Sequence, residues 1–201
     1  MSAPDFYPTP MWVLRQFFDS AYDFLSEHLP PEQAYIVDPS AGDGRILDVL
    51  REYRDTEARR DVLANVEIHN GYQYDEEIIS ALGEDFLRWE PMWLVDMYVT
   101  NPPYSQAERF FNHAYETTTD CGIICFLLRM GFAAGGHRTK TYWSKPEYRP
   151  ANMYILPHRP KFNDKGSDSN DYAWFVWVKG NRSSNVHWLP TVSKEFRKVR
   201  P

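Results

Sequence analysis

Residues 34–44 read Ala34-Tyr-Ile-Val-Asp-Pro-Ser-Ala-Gly-Asp-Gly44, and Arg45-Ile-Leu-Asp-Val-Leu50 follows directly. The apolar run at 34–37 predicts a strand, Pro39, Gly42 and Gly44 a turn, and Ile46, Leu47, Val49 and Leu50 the buried face of a helix. Strand, glycine-bearing turn and helix in that order open a βαβ unit. Open α/β sheets bind ligands beyond the carboxyl ends of their strands, which is where this turn falls. Its glycines let the backbone approach a ligand closely, and Asp38 at the strand end can accept an ammonium group. Taken alone, such a turn is equally a structural feature.

The same alternation extends outward. Pro8 and Pro10 end an extended arm, and Trp12, Leu14, Phe17, Phe18, Ala21, Tyr22 and Leu25 then predict a helix that Pro30 and Pro31 stop. Downstream, strands are predicted at Val66–Gly71, Glu84–Leu87, Leu94–Val99 and Ile123–Leu128, and helices at Asp75–Leu82 and Ala107–Tyr115. Residues 55–64 are charged and give no signal. Strands alternating with helices over 34–128 predict a parallel sheet. Beyond it, Gly131–Pro150 is basic, aromatic and aperiodic. Met153–Leu156 and Ala173–Val178 then read as two strands joined by a charged loop, and 180–201 as a polar tail. No domain boundary is visible, so a single domain over 1–201 is expected.

Composition narrows the class further. At 43% hydrophobic and 25% charged, the chain is an ordinary globular protein, rich in rings at 16%. Its net charge of −6 argues at first against a polyanionic partner, but the charge is divided. Residues 1–100 hold 20 acidic and 7 basic side chains, whereas 101–201 hold 8 acidic and 15 basic ones. A basic face in the second half is therefore expected, and local charge is what meets phosphate. Cys121 and Cys125, four residues apart on a predicted strand, share a face beyond disulfide reach. They and the six scattered histidines lack metal-ligand spacing, so no metal is expected. Neither a signal peptide nor a membrane-spanning run is visible, and a cytoplasmic protein is expected.

Asn101-Pro-Pro-Tyr104 closes the strand predicted at 94–99. An exocyclic amine on an aromatic ring is a poor nucleophile because its lone pair is delocalised. The Asn101 side-chain oxygen and the Pro102 carbonyl supply two acceptors, one for each amine hydrogen, which turns the lone pair toward an electrophile. Two prolines stiffen the loop, and Tyr104 offers a ring on which a flipped base can stack. The bland reading is a rigid turn.

Asp38-Pro-Ser-Ala-Gly-Asp-Gly44 followed by Asn101-Pro-Pro-Tyr104 resembles the amino-methyltransferases, above all the DNA adenine-N6 methyltransferases. The likeness runs in order over roughly residues 7–178 and extends to small phage or prophage orphan enzymes. It implies a Rossmann-like α/β fold dependent on S-adenosylmethionine, mostly parallel, with an antiparallel C-terminal hairpin and helices on both faces. It also implies Asn101, Pro102, Pro103 and Tyr104 as catalytic residues, a flipped adenine in DNA as substrate, and residence in a bacterial or phage-infected cell. Tyr7-Pro-Thr-Pro10 is similar to the element that contacts the cofactor's methionine part, which implies Tyr7, Thr9 and Pro10. Asp38, Pro39, Ala41, Gly42 and Gly44 belong to the cofactor turn. Gly71-Tyr-Gln-Tyr-Asp75 looks like the second-strand motif that holds the ribose, with Gln73 at the position where an acid is usual. Glu84-Asp-Phe-Leu87 is similar to the adenine-binding motif, with Asp85 and Phe86 as contacts. Pro157-His-Arg-Pro-Lys-Phe162 looks like the late motif beside the target base.

The family's separate target-recognition domain has no counterpart. Gly131–Pro150, carrying Arg138, Lys140 and Trp143, is the expected target-recognition insert, with Phe162 as a further substrate contact. The same chemistry on RNA adenine or a protein glutamine is the alternative, as is an inactive binding module of the same fold.

Overall fold

A computed structural model describes residues 8–54, 61–162 and 169–198. The first element, α1 (Met11–His28), buries Trp12, Val13, Leu14, Phe17, Phe18, Ala21 and Leu25 along one face. Pro10 starts it, its carbonyl accepting the Val13 N–H at 2.9 Å. The end is set by Leu29, which is extended because it precedes Pro30.

Eight strands form one sheet: β1 (Tyr35–Asp38), β2 (Val62–Glu67), β3 (Ile79–Leu82), β4 (Val95–Thr100), β5 (Thr118–Arg129), β6 (Asn152–Ile155), β7 (Tyr172–Val178) and β8 (Asn185–Trp188). Their order across the sheet is β3-β2-β1-β4-β5-β7-β6-β8. Neighbours from β3 to β5 pair in parallel, β7 runs antiparallel to both β5 and β6, and β8 is parallel to β6. The mostly parallel α/β sheet and the antiparallel β6–β7 hairpin agree with the sequence reading. Helix α2 (Arg45–Arg54) follows β1, and α3 (Ala107–Thr117) lies between β4 and β5.

Both faces of the sheet are covered. Helices α1 and α2 pack with Ile36, Met97, Val99, Ile123, Cys125, Leu127, Trp174 and Val176. On the opposite face α3 packs with Val37, Tyr98, Ile124, Phe126, Leu128, Phe175 and Trp177. This alternation along β5 and β7 is what a strand buried on two sides requires. Phe17 of α1 stacks on Trp174 of β7, with centroids 4.3 Å apart and planes 13° from parallel.

The chain runs from β1 outward through β2 to β3, then returns to place β4 on the other side of β1. That reversal opens a crevice between the carboxyl ends of β1 and β4. The turn at 38–44 and the loop at 101–104 begin at those two ends.

Several expected elements differ. The strand read at 66–71 is β2 at Val62–Glu67, its start hidden in the charged stretch. Asp75–Leu82 is not a helix: residues 79–82 pair in parallel with β2 as β3, and sheet pairing overrides a short local preference. Glu84–Leu87 is a turn in which Asp85 Oδ1 accepts the Leu87 N–H at 3.1 Å, so no strand forms. Cys121 and Cys125 do not share a strand face. Cys121 is exposed at φ 64° in a bulge where the β4–β5 register shifts, and Cys125 is buried. The polar tail contains the edge strand β8, exposed at each of its four residues, whose Asn185-Val-His-Trp188 sequence carries no core signature.

Candidate active site

Asp38, the last residue of β1, is fully buried. Its Oδ1 accepts the Ser40 N–H at 3.2 Å, and its Oδ2 has no hydrogen-bond partner. Burial pushes the carboxyl up to about 7, against the opposing pull of the Thr100 hydroxyl and the Ser40 N–H. Asn65, its register partner at the end of β2, is equally buried, with both amide atoms unpartnered. The turn above them needs glycine. Gly44 has φ +83°, and a Cβ there would meet the Tyr74 ring at 2.9 Å. Arg45 pairs with Asp43 and donates to the Thr9 carbonyl at 3.2 Å, which pins the arm at 8–10 against the turn.

Glu67 ends β2 and is only 7% exposed. Its two carboxylate oxygens accept the Gly42 N–H at 2.8 Å and the His69 N–H at 3.0 Å. Beyond β3, Gly83 donates to the Glu67 carbonyl at 2.7 Å, which brings Glu84, Asp85 and Phe86 alongside. Phe86 is buried, packing on Tyr98, Phe110 and His113.

From β4 the chain enters Asn101-Pro-Pro-Tyr104. The Ser40 hydroxyl lies 2.8 Å from the Thr100 hydroxyl and donates to the Asn101 carbonyl at 3.1 Å, tying the two loops across the crevice. Asn101 Oδ1 accepts the Tyr104 hydroxyl at 2.9 Å. The Arg129 guanidinium, at the end of β5, lies over the Tyr104 ring at 4.9 Å from its centroid. Tyr172 sits at 5.6 Å on the same ring, and Phe162 at 5.2 Å on Tyr172.

These groups surround one cleft of about 610 Å³. Of the residues singled out from sequence, Thr9, Pro39, Ala41, Gly42, Asp85, Phe86, Asn101, Pro102, Pro103 and Tyr104 line it. Pro10, Asp38 and Gly44 support its walls without lining them, and Tyr7 lies outside the described residues.

Gln73 is exposed and stands apart from the cleft, because β2 ends six residues earlier than that assignment required. The acidic residue at the end of β2 is Glu67. The signal was present in the sequence: Val62-Leu-Ala-Asn-Val-Glu67 is an apolar run closed by a carboxylate, masked by the charges before it. Arg129 was missed too, since a lone arginine after an apolar strand has no signature.

None of the residues expected to contact substrate from outside the loop lines the cleft. Phe162 is a core ring, 7% exposed. The expected target-recognition insert at 131–150 packs against the protein's own core. Short helical turns fold it onto the α3 face of the sheet, burying Phe132 and Tyr142, and the Trp177 indole donates to the Tyr148 carbonyl at 2.9 Å. Arg138 pairs with Glu108 at 3.0 Å and lies over Phe132, Trp143 is partly buried against the same cluster, and Lys140 is exposed. Among the described residues no group of three or more His, Cys, Asp or Glu is placed to hold a metal ion. No described helix is long and apolar enough to cross a membrane.

No protein-family model matches this sequence, and no curated protein sequence matches it. Solved structures do match in fold. The type I restriction-modification methyltransferase subunit from Streptococcus thermophilus superposes with a TM-score of 0.72 at 16% identity, over 96% of this chain and 52% of that one. A protein from Listeria monocytogenes assigned as a class I S-adenosylmethionine-dependent methyltransferase gives 0.68 at 13%, over 95% and 68%. DrdV, solved in complex with DNA, gives 0.60 at 14%, over 96% and 28%. The chain thus spans about half the length of the restriction-modification subunit. The fold is that of the class I S-adenosylmethionine-dependent methyltransferases.

The residues present fit that cofactor. A buried carboxylate on the cleft wall suits a pair of hydroxyls, a second carboxylate beside a buried ring suits a purine with an amino group, and the volume falls in the usual range for a small-molecule site.

Proposed function

We propose that this chain transfers a methyl group from S-adenosylmethionine to the N6 amino group of adenine in DNA. The observation that carries the reading is convergence: Asn101, Glu67 and Asp85, from the ends of three different strands, line one cleft. Glu67 and Asp85 would hold the ribose hydroxyls and the purine, Phe86 would lie along the ring, and Thr9 would close the methionine end. When bound, the cofactor supplies an electrophilic methyl on a sulfonium, which departs as a neutral thioether.

The chain's own residues do the rest. Asn101 Oδ1, which accepts the Tyr104 hydroxyl here, accepts one hydrogen of the target amine, and the Pro102 carbonyl accepts the other. With both hydrogens held, the nitrogen lone pair turns out of conjugation toward the methyl carbon. Methylation leaves that nitrogen positively charged with both of its hydrogens, and one of the two then departs as a proton to water, while Asn101 Oδ1 and the Pro102 carbonyl stabilise the developing charge as hydrogen-bond acceptors. Tyr104 supports the extruded base on its ring face. The prolines keep the acceptors in place without a loss of chain entropy on binding.

DNA is favoured over other amine carriers by the basic second half of the chain, and by the restriction-modification methyltransferase subunit and the DNA-bound DrdV among its structural neighbours. The test is transfer of tritiated methyl from labelled cofactor to duplex DNA, RNA and a glutamine peptide in parallel. Label in DNA supports the reading; label confined to RNA or peptide, or none at all, overturns it.

A further inference from the structure

Around the cleft, the second half of the chain brings exposed cations to one end of the sheet from both of its faces. Helix α3 starts at the cleft, which Gln106 and Phe110 both line. Arg109 stands exposed in its first turn, and among the described residues its guanidinium donates only to Gln106 Oε1, at 3.3 Å. The segment 131–150 runs beside α3 in the same direction. Arg138 pairs with Glu108 at 3.0 Å and, four residues on in each, the Tyr142 hydroxyl donates to Asn112 Oδ1 at 3.1 Å. Lys140, between those two links, is therefore held beside the first turns of α3, with its side chain exposed.

The other face is reached through β6. Strands β5 and β6 are both antiparallel to β7, so β6 also ends at the cleft end of the sheet. The loop after it meets α1, where His158 lies edge-on to Trp12, and then packs Phe162 on Tyr172. Lys161 stands exposed in that loop. Among the described residues neither the Lys140 nor the Lys161 ammonium has an ion pair or a hydrogen bond. The acids nearby are already matched, Glu108 by Arg138 and Asp171 by Arg159 at 2.8 Å. Across the cleft, Glu67, Glu84 and Asp85 line the wall with no cation paired to them among the described residues.

Resting on the nucleic-acid reading above, we infer that duplex DNA lies across the carboxyl end of β5 and the amino end of β7, its phosphates met by Arg109 and Lys140 on the α3 face and by Lys161 on the α1 face. Unpaired exposed cations are what a polyanion can neutralise, and that exchange supplies most of its affinity. The unmatched carboxylates keep the backbone off the β1–β3 side, which stays with the cofactor. A helix is about 10 Å across, close to the roughly 12 Å width of a major groove. Cations on opposite faces of the sheet thus meet the two backbones that flank one groove, with the Asn101–Tyr104 loop beside them. Such contacts set the position of the duplex and read no base.

The experiment measures binding of a duplex across salt concentrations by wild type, Arg109→Gln, Lys140→Gln, Lys161→Gln and a control, Arg182→Gln, with S-adenosylhomocysteine present. Arg182 is equally exposed but follows β7, at the opposite end of the sheet. Calorimetry of S-adenosylhomocysteine alone verifies the fold of each variant. Each of the three should make the log–log salt slope shallower by about 0.9, while the control keeps the wild-type slope. The charge-preserving Arg109→Lys, Lys140→Arg and Lys161→Arg should keep it too. In a protein that does methylate DNA, wild-type slopes for the variants of either face overturn the two-sided placement, as does an equal loss in Arg182→Gln. A wild type that neither binds nor methylates DNA overturns it together with the reading beneath it.

Discussion

The two sides of the crevice are built from opposite materials. On the β1–β2 side the walls are acceptors: Asp43, Glu67, Glu84 and Asp85 line the cleft, with Asp38 and Asn65 buried behind them. On the β4–β5 side Tyr104 and Arg129 line it, the guanidinium over the ring, with Tyr172 and then Phe162 packed behind Tyr104 in the core. The same division runs along the sequence, acidic over residues 1–100 and basic over 101–201. On the function proposed above, the first side would accept hydrogen bonds from the hydroxyl-rich, cationic cofactor and the second would hold the flat ring of the target. Asn101 stands at the seam.

The seam is where the largest effect is expected. Asn101→Ala should lower the rate of methyl transfer by at least about 100-fold, the scale on which a positioned transition-state hydrogen bond acts. Cofactor affinity, measured by calorimetry, should stay within about twofold, since the acceptor side is untouched. A large loss of cofactor affinity would mean that the two sides are not separate.

The acceptor side is broken next. Glu67→Gln should weaken cofactor binding by roughly 10- to 100-fold, as charge-assisted hydrogen bonds are worth about 1.5–3 kcal/mol. Gln73→Ala should leave the same affinity unchanged, because that side chain stands outside the cleft. If the Gln73 variant fails and the Glu67 variant does not, the ribose contact has been placed wrongly.

That pair of residues marks the limit of what the sequence disclosed. The glycine turn and the Asn101–Tyr104 loop were legible because each follows an apolar strand and contains residues that few other roles demand. The sheet was legible from β1, β4, β5 and β7, whose apolar runs are long enough to stand out. The bounds of the second strand were not, because its start lies among charges and the eleven residues 68–78 separate it from β3. The packing of 131–150 was not legible because its buried rings, Phe132 and Tyr142, are spaced by turns that no repeat announces. Arg129 is visible only in three dimensions, where β5 ends beside β4.

Two smaller effects sharpen the contrast from within the acceptor side. Gly44→Ala forces a side chain into a left-handed backbone position against the Tyr74 ring, and should cost about 1–3 kcal/mol in denaturant unfolding. A neutral result would show that Tyr74 moves aside. Asp38 should leave a mark on the pH dependence of stability. Its folded value of about 7 lies above the ordinary 3.8, so the folded state binds the proton more tightly than the unfolded one. The stability this carboxyl contributes is complete below about pH 4 and is lost as pH rises to about 7, with no further change above. Unfolding curves for wild type and Asp38→Asn should therefore diverge across that window, wild type losing ground as pH rises. Parallel curves would place the buried carboxyl in a better-compensated environment.

The most direct test of the central claim is the nucleoside content of duplex DNA after incubation with the protein and S-adenosylmethionine, read by mass spectrometry. The account predicts N6-methyladenine with wild type and its absence with Asn101→Ala. Unmodified adenine after treatment with a wild-type protein shown to bind the cofactor would contradict it.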